Sequence, residues 1–267
     1  MGFRKNTELA KSGDGHKNRQ FVTALARGID ILSAFQAEDR WLSNVELARR
    51  TKLPKPTVSR LTFTLMSLGF LDLDEDTGLY LLHPRILSLG YPVLQRLSIR
   101  QVARPFIREL ANSCQGTSSI GMRDRLNMII IDRVRHSSMT AIPVDIGAWR
   151  EMATSALGRA YIAATGTQER DKLFDEMKAF YGNRWPKLRA SIDSNISAYA
   201  KNGYCISASD WTPGYNAVGA PLTMRDGTIL ALTCGGLSNR IPVEDLPYLG
   251  DRLVETLRKI EQIHSDT

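Results

Sequence analysis

From Phe21 onward the apolar positions recur first with a helical and later with a strand-like period, and the order of these periods outlines the molecule. Leu25, Ile29, Leu32 and Phe35 follow helical spacing and predict a first helix that ends near Ala37. Glu38-Asp39-Arg40 makes a polar turn. Ser43-Asn44-Val45-Glu46 is a capping box, so a second helix starts there, carries Val45, Leu47 and Ala48 as buried positions, and stops around Thr51-Lys52-Leu53. Pro54-Lys55-Pro56-Thr57 opens a third helix, because a first-turn N–H has no intrahelical partner and proline loses nothing there. Val58, Leu61, Leu65 and Leu68 form its packed stripe. At about 100° per residue, Lys55, Pro56, Ser59, Arg60, Phe63 and Ser67 point the other way.

Gly69 ends that helix, and Phe70-Leu71-Asp72-Leu73 and Leu79-Tyr80-Leu81-Leu82 flank the turn Asp74 to Gly78 as a hairpin. A mostly helical stretch from Ile86 to Gln101 follows, interrupted by Pro92, with Leu87, Leu94 and Leu97 as an apolar face available for pairing. Another helix is expected over Pro105 to Ser113. Thr117 to Met122 and Asn127 to Val134 flank Arg123-Asp124-Arg125 as an antiparallel hairpin. Helices near 155–165, 168–179, 186–202 and 243–263 and strands near 204–208, 215–223 and 228–236 complete an α+β domain.

Composition narrows the classes. The chain has 267 residues, 43% hydrophobic and 24% charged, which suits a globular protein of one large or two ordinary domains. No apolar run approaches the roughly 18 residues of a membrane helix, and the N-terminus has no signal-peptide core, so a cytoplasmic protein is expected. Cys114, Cys205 and Cys234 are widely spaced, and His16, His83, His136 and His264 fit no ligand spacing, so neither a disulfide framework nor a metal site nor a cofactor is expected. Through Arg100 there are 15 Lys and Arg against 10 Asp and Glu, and beyond it 20 against 18, so most of the net +7 is N-terminal. Residues 1–20 read as a disordered basic leader. Two short helices joined by a tight turn, the second with Lys, Ser and Arg near its start, and a following hairpin describe a winged helix-turn-helix over 21–84. A three-helix bundle with a hairpin that binds protein is the other reading of this pattern.

The motifs resemble one family. Arg27-Gly28-Ile29-Asp30-Ile31-Leu32, Leu42-Ser43-x-x-Glu46-Leu47-Ala48-Arg49-Arg50-Thr51 and Leu53-Pro54-Lys55-x-Thr57-Val58-x-Arg60-Leu61-x-x-Thr64-Leu65-x-x-x-Gly69 are similar to the DNA-binding domain of the IclR family of bacterial transcriptional regulators. Tyr80-x-Leu82 and Leu87-x-Leu89-Gly90 continue the likeness. So do Ser155 to Ala160, Pro213 to Pro221 and Ala231 to Gly236, and the resemblance covers roughly 21 to 263. It implies a winged helix-turn-helix, a linker helix over 85–101, and a GAF-like effector domain over 102–267 with antiparallel sheet and flanking helices. It also implies a homodimer or dimer of dimers that binds double-stranded promoter DNA and responds to a small molecule.

On that basis Lys55, Thr57, Ser59 and Arg60 lie nearest base edges or flanking phosphates, since Arg makes bidentate contacts to guanine and hydroxyls serve base or phosphate. Pro56, Ser43, Lys52 and Arg27 complete the expected DNA-facing set, and Arg49 and Arg50 are phosphate candidates; a helix-start hydrogen bond is the alternative for Thr57. Phe63 is expected to pack on a neighbouring element, with contact to a thymine methyl as the alternative. Asp72, Asp74, Glu75 and Asp76 put four acids on the hairpin, which should therefore add little DNA contact. A helix that starts with small residues after Met152 offers free N–H groups to a carboxylate, and an ordinary capped helix is the other reading of the same residues. The resemblance assigns Met152, Ala156, Leu157, Ser207, Ala217, Thr233 and Gly235 to the effector site. Ala217 stands where the family often has cysteine and Ser207 where it can have an acid, which suggests a larger or more apolar acid than a two- or three-carbon one, such as an aromatic acid. Neither a nucleophile elbow nor a phosphate loop is present, so an enzyme is not expected; a protein-interaction scaffold is the alternative.

Overall fold

The computed structural model describes residues 20–36, 39–97, 99–138 and 146–265; the basic leader lies outside them. The chain divides into two compact units, one up to Arg96 and one from Leu97.

In the first unit, α1 (Thr23–Leu32) is shorter than its periodicity suggests and turns at Ser33, whose N–H reaches back to Ile29. The face it buries also differs from the apolar spacing. Ala26, Asp30 and Ile31 are buried, whereas Leu25 and Ile29 are 64% and 44% exposed. Periodicity identifies a helix but does not say which of two faces meets the core, and α1 is apolar on both. A two-residue strand β1 (Leu42–Ser43) precedes α2 (Asn44–Thr51), where Ser43 accepts from the Glu46 N–H at 3.1 Å. Only half of the capping box forms, because the Glu46 carboxylate is held by Arg49 and Arg50 instead. Those guanidiniums hold its carboxyl at about 2. Lys52 ends α2 in the left-handed region at φ 52°.

Helix α3 (Lys55–Ser67) buries Val58, Thr62 and Leu65, with Leu61 packed beside them; Leu68 lies past the helix end and is 51% exposed, so Thr62 takes the place expected of Leu68 in the buried stripe. Thr62 is tolerated because its hydroxyl donates to helix carbonyls, at 3.0 Å to Val58. Strands β2 (Leu71–Asp74) and β3 (Leu79–Leu82) form the wing, and β1 joins β3 to give the order β1-β3-β2. Asp74 holds the wing's turn: its carboxylate accepts from the N–H groups of Asp76 and Thr77 at 3.0 and 3.2 Å, and the Thr77 side chain together with these N–H groups lowers its pKa. The linker helix is α4 (Leu87–Arg96), with Pro92 inside it and no buried residue.

The second unit starts with α5 (Ile99–Ser113), six residues earlier than expected, and contains Pro105 within the helix rather than at its start. Strands β4 (Thr117–Asp124), β5 (Asn127–Arg135), β6 (Trp149–Glu151), β7 (Cys205–Ala208), β8 (Tyr215–Thr223) and β9 (Ile229–Leu237) form one antiparallel sheet in the order β6-β5-β4-β9-β8-β7. Helices α6 (Ala156–Ala164), α7 (Thr167–Tyr181), α8 (Trp185–Asn202) and α9 (Leu246–Ser265) match the expected segments. Strand β6 has only three residues, too few to show an alternating pattern.

Two cores separate across the sheet. Ile107 and Leu110 of α5 and Leu249 and Leu253 of α9 pack with Ile120, Val218 and Leu232, and a second cluster joins Leu157, Ala160, Met177 and Ile192 to Met128 and Ala231. The pairing of β4 with β5 shifts between Ile120 and Gly121, leaving Ile131 as an extra residue on β5. Such a bulge reverses the in-and-out alternation along its strand, so Ile130 and Arg133, three apart, reach the same face. The first turn of α6 presses on the sheet. A Cβ at Gly219 would lie 2.4 Å from the Ala156 carbonyl oxygen, and one at Gly158 would lie 2.2 Å from that of Met152. Because both obstacles are backbone, Gly158→Ala should cost about 1–3 kcal/mol; urea unfolding of the two proteins measures this, and a change under about 0.5 kcal/mol would refute the close approach.

Candidate functional site

The outward face of α3 carries Lys55, Pro56, Ser59, Arg60, Phe63 and Ser67, all exposed. Lys55 and Arg60 have no acidic partner among the described residues, so both charges are available to an anion. Ser59 accepts from the Asn44 side chain at 2.9 Å and donates to the Lys55 carbonyl at 3.1 Å, which clips the start of α2 to α3 and fixes the angle between them. The Thr57 backbone N–H donates to Pro54 at 2.9 Å, but its hydroxyl has no helix-start bond among the described residues. Phe63, expected to pack, is instead 70% exposed. No described neighbour covers this ring, so the apolar spacing that hinted at packing finds no partner within the unit.

The other expected cations divide. Lys52 is exposed at the α2–α3 turn, and Arg27 is half-buried on α1 with its Nε enclosed and unbonded among the described residues. Ser43 spends its hydroxyl on the α2 cap. Arg49 forms two bonds to Glu46 at 2.8 and 2.6 Å. Arg50 is not a free phosphate ligand: it ties Asp39, Glu46 and the Ala34 carbonyl together, and this pairing holds its charge inside the unit. Sequence spacing could not reveal this, because Asp39 lies in a loop eleven residues away.

In the second unit a cleft lies between the start of α6 and the sheet. It is lined by Ala156, Leu157, Ser207, Ala217 and Thr233 from the expected set, together with Ser119, Ile130, Arg133, Arg150, Ser155, Trp211 and Tyr215. Met152 is fully buried in the core beneath α6, and Gly235 pairs with Ala217 within the sheet; neither lines the cleft. Ser155 caps α6 by accepting from the Gly158 N–H at 3.1 Å, while the N–H groups of Ala156 and Leu157 have no acceptor among the described residues. Ser207 donates to the Thr154 carbonyl at 2.8 Å, fastening β7 to the segment before α6.

Two positioning features set the cleft's outer wall. Arg159, 2% exposed, donates to Ile206 and Ser191 and pairs with Asp210 at 2.7 Å, which fixes the residue before Trp211. Trp211 meets Tyr215 edge-on, with ring centroids 5.5 Å apart, and carries the Arg150 guanidinium 4.0 Å above its ring. Burial and the nearby positive charge of Arg133 lower the Arg150 pKa to about 10. Burial raises that of Tyr215. The cleft is therefore rich in donors, contrary to what Ala217 and Ser207 alone suggest. Of the missed residues, Arg150 sits on a three-residue strand, Trp211 in a loop and Arg133 beyond a bulge, where the sequence signal is a charge in an apolar strand.

A winged helix-turn-helix with an open cationic face, followed by a sheet domain with a cleft at the start of α6, defines a two-domain regulator. The chain belongs to the IclR family of bacterial transcriptional regulators: residues 24–75 match the IclR helix-turn-helix domain and residues 91–262 match the bacterial transcriptional regulator IclR C-terminal domain. It is 30% identical over 239 residues to the HTH-type transcriptional regulator TsaQ1/TsaQ2 of Comamonas testosteroni, covering 88% of this chain and 84% of that one. An IclR family transcriptional regulator from Brucella abortus is 38% identical with a TM-score of 0.80, over 94% of this chain and 96% of that chain. An IclR homolog from Microbacterium hydrocarbonoxydans, complexed with 4-hydroxybenzoate, shares the fold at 17% identity and a TM-score of 0.74, over 92% and 100% of the two chains. The family consists of transcriptional regulators, not enzymes. No helix among the described residues is long and apolar enough to cross a membrane.

If Arg60 reads a base, Arg60→Ala should weaken operator binding by about 1–3 kcal/mol and relax sequence preference at one position; if Lys55 meets a phosphate, Lys55→Ala should weaken all sequences alike and reduce the salt slope by about 1. Salt-dependent titrations on operator and scrambled duplexes separate the two, and wild-type affinity in both variants would remove α3 from the interface.

Proposed function

We propose that this protein is a cytoplasmic regulator of a metabolic or catabolic operon whose grip on double-stranded promoter DNA changes when a small organic acid, of aromatic type, occupies the cleft in its second domain. The carrying observation is the cleft's lining. It combines Arg133, Arg150 and the first-turn N–H groups of α6, which suit an acid group, with Ile130, Ala156, Leu157 and Ala217, which suit a hydrocarbon body. The 4-hydroxybenzoate held by the Microbacterium hydrocarbonoxydans homolog supports this reading. On the DNA side, Lys55, Thr57, Ser59 and Arg60 with Pro56 face the groove, while Lys52, Arg27 and Ser43 flank it toward phosphate.

The protein acts as a homodimer or a dimer of dimers. Helix α4 leaves Leu87, Leu89, Tyr91 and Val93 more than half exposed, and Leu25 and Ile29 of α1, with Phe21 and Val22 just before it, are open to solvent. Apolar surface on that scale calls for a partner, and a second copy supplies it with the two-fold symmetry that paired half-sites require.

Footprinting on the adjacent intergenic region, with and without aromatic acids, tests the reading. Protection of two half-sites about 10 bp apart, altered by an acid, is expected; no protection at moderate salt would favour a protein-interaction scaffold. Light scattering should give at least twice the chain mass, and a monomer would contradict the paired arrangement. The acidic wing should repel phosphate, so Glu75→Lys, which spares the turn-holding Asp74, should raise nonspecific affinity; unchanged binding at low salt would count against that.

A further inference from the structure

Two of the three cysteines meet in the fold although they lie 120 positions apart in sequence. Cys114, just past the end of α5, and Cys234, on β9, bring their Sγ atoms to 2.9 Å as free thiols. Cys234 is fully buried, whereas Cys114 is partly exposed. The contact lies in the core with Leu110 and Ile241, on the α5 side of the sheet. Thr233, next to Cys234 on β9, points the other way and lines the cleft.

Backbone holds the pair together. The chain leaving α5 turns through Gln115 at φ 48°, and the Gly116 N–H returns to the Ala111 carbonyl at 3.0 Å. A Cβ at Gly116 would lie 2.6 Å from the Gly235 carbonyl oxygen and 2.9 Å from the Cys114 Sγ, so this turn rests directly on β9 beside Cys234. Strand β9 is itself paired on both sides at Cys234, with Ser118 and with Val218. Neither sulfur can leave the other without moving a secondary-structure element. A disulfide needs its sulfurs about 2.0 Å apart, so closure draws them in by about 0.9 Å, which small side-chain rotations supply.

The two thiols are chemically unequal. The Cys234 S–H and the Gly116 N–H favour a thiolate on Cys114 and lower its pKa, while burial raises that of Cys234. Thiolate character and exposure decide which cysteine an oxidant attacks. Cys114 has both, and Cys234 stands behind it as the resolving thiol. Cys205 is the contrast: it is buried, donates to the Asn195 carbonyl at 3.6 Å, and burial pushes its pKa up to about 12.

We propose that Cys114 and Cys234 form a reversible redox site whose substrate class is the hydroperoxides. The Cys114 thiolate attacks the outer peroxide oxygen, the O–O bond breaks, and the sulfur keeps that oxygen as a sulfenic acid. The remainder takes up a proton and leaves as an alcohol, or as water when the oxidant is hydrogen peroxide. The Cys234 sulfur, giving up its proton, then bonds to the Cys114 sulfur, and the S–O bond breaks to release water. Two thiols lose two electrons and one peroxide gains them; a dithiol reductant reverses the change. The product fastens the end of α5 to the strand that carries Thr233 into the cleft. Reversible disulfides of this kind suit the cytoplasmic setting proposed above.

Treating the full-length protein with hydrogen peroxide, then counting thiols after denaturation and mapping peptides without reductant, tests the site. Of the three thiols only Cys205 should remain, a crosslinked peptide should join Cys114 to Cys234 within one chain, and dithiothreitol should restore all three. Cys114 should react at least ten-fold faster than Cys205. In Cys234→Ala the Cys114 sulfenic acid should persist and be trapped by dimedone, and in Cys114→Ser the Cys234 thiol should stay reduced at the same peroxide concentration. Because the wild-type map requires no variant to fold, it decides alone. Equal rates at Cys114 and Cys205 would overturn the assignment. So would a Cys114 that passes to sulfinic acid or to an interchain disulfide while Cys234 stays reduced.

Discussion

The close seat of α6 on the sheet is the contact on which the second domain's function depends. At Gly219 a single added carbon would strike the Ala156 carbonyl oxygen of the first turn, and at Gly158 one would strike that of Met152 in the segment leading into the helix. That approach puts the N–H groups of Ala156 and Leu157 beside strands β4, β8 and β9, where an ordinary helix packed about 10 Å from the sheet would stand its first turn off behind larger side chains. Ser155 secures the turn by capping it, and Ser207 ties β7 to the preceding segment. The small residues are therefore a packing requirement first, and the donors that this packing leaves free are what make the cleft suitable for an anion.

Charge is arranged around that contact with a clear division of labour. Asp132, 1% exposed, meets Arg104 at 2.5 Å on the α5 side, whereas its neighbour Arg133 lines the cleft on the other. Arg159 is buried but well supplied, with a carboxylate, a hydroxyl and two carbonyls, and serves to hold the segment that carries Trp211. Arg150 is the contrasting case, a cation without an acidic partner among the described residues. In the first unit the same logic separates Arg50, fully engaged with Asp39 and Glu46, from Lys55 and Arg60, which are open on α3. Cations that already have partners build the fold, and those that do not mark the two surfaces where an anion is expected.

Much of the fold was legible because long elements leave strong periodic signals: β8 falls on the expected 215–223, and α6, α7 and α8 lie within two residues of their expected bounds. The open face of α3 was legible for the same reason. What periodicity cannot supply is the choice between two apolar faces, as α1 shows, or the fate of a charged side chain whose partner is distant in sequence, as Arg50 and Asp39 show. The cleft was half legible. Ala156, Leu157, Ser207, Ala217 and Thr233 came from motif likeness, but Arg150 sits on a strand too short to alternate, Trp211 on a loop, and Arg133 beyond a bulge that no alternation rule anticipates. These are the residues that add donors to a cleft whose motif positions alone read as more apolar.

The central claim is that an acid in the cleft and DNA on α3 are linked, which makes their coupling the decisive quantity. It is measured as operator affinity with and without a saturating aromatic acid that the protein binds, in the wild-type protein and in Arg150→Gln. The account predicts that the acid changes operator affinity at least five-fold in the wild type, that Arg150→Gln binds the free operator as the wild type does, and that the acid no longer alters its affinity. An undiminished response in Arg150→Gln, or no response in a wild-type protein shown to bind the acid, would contradict it.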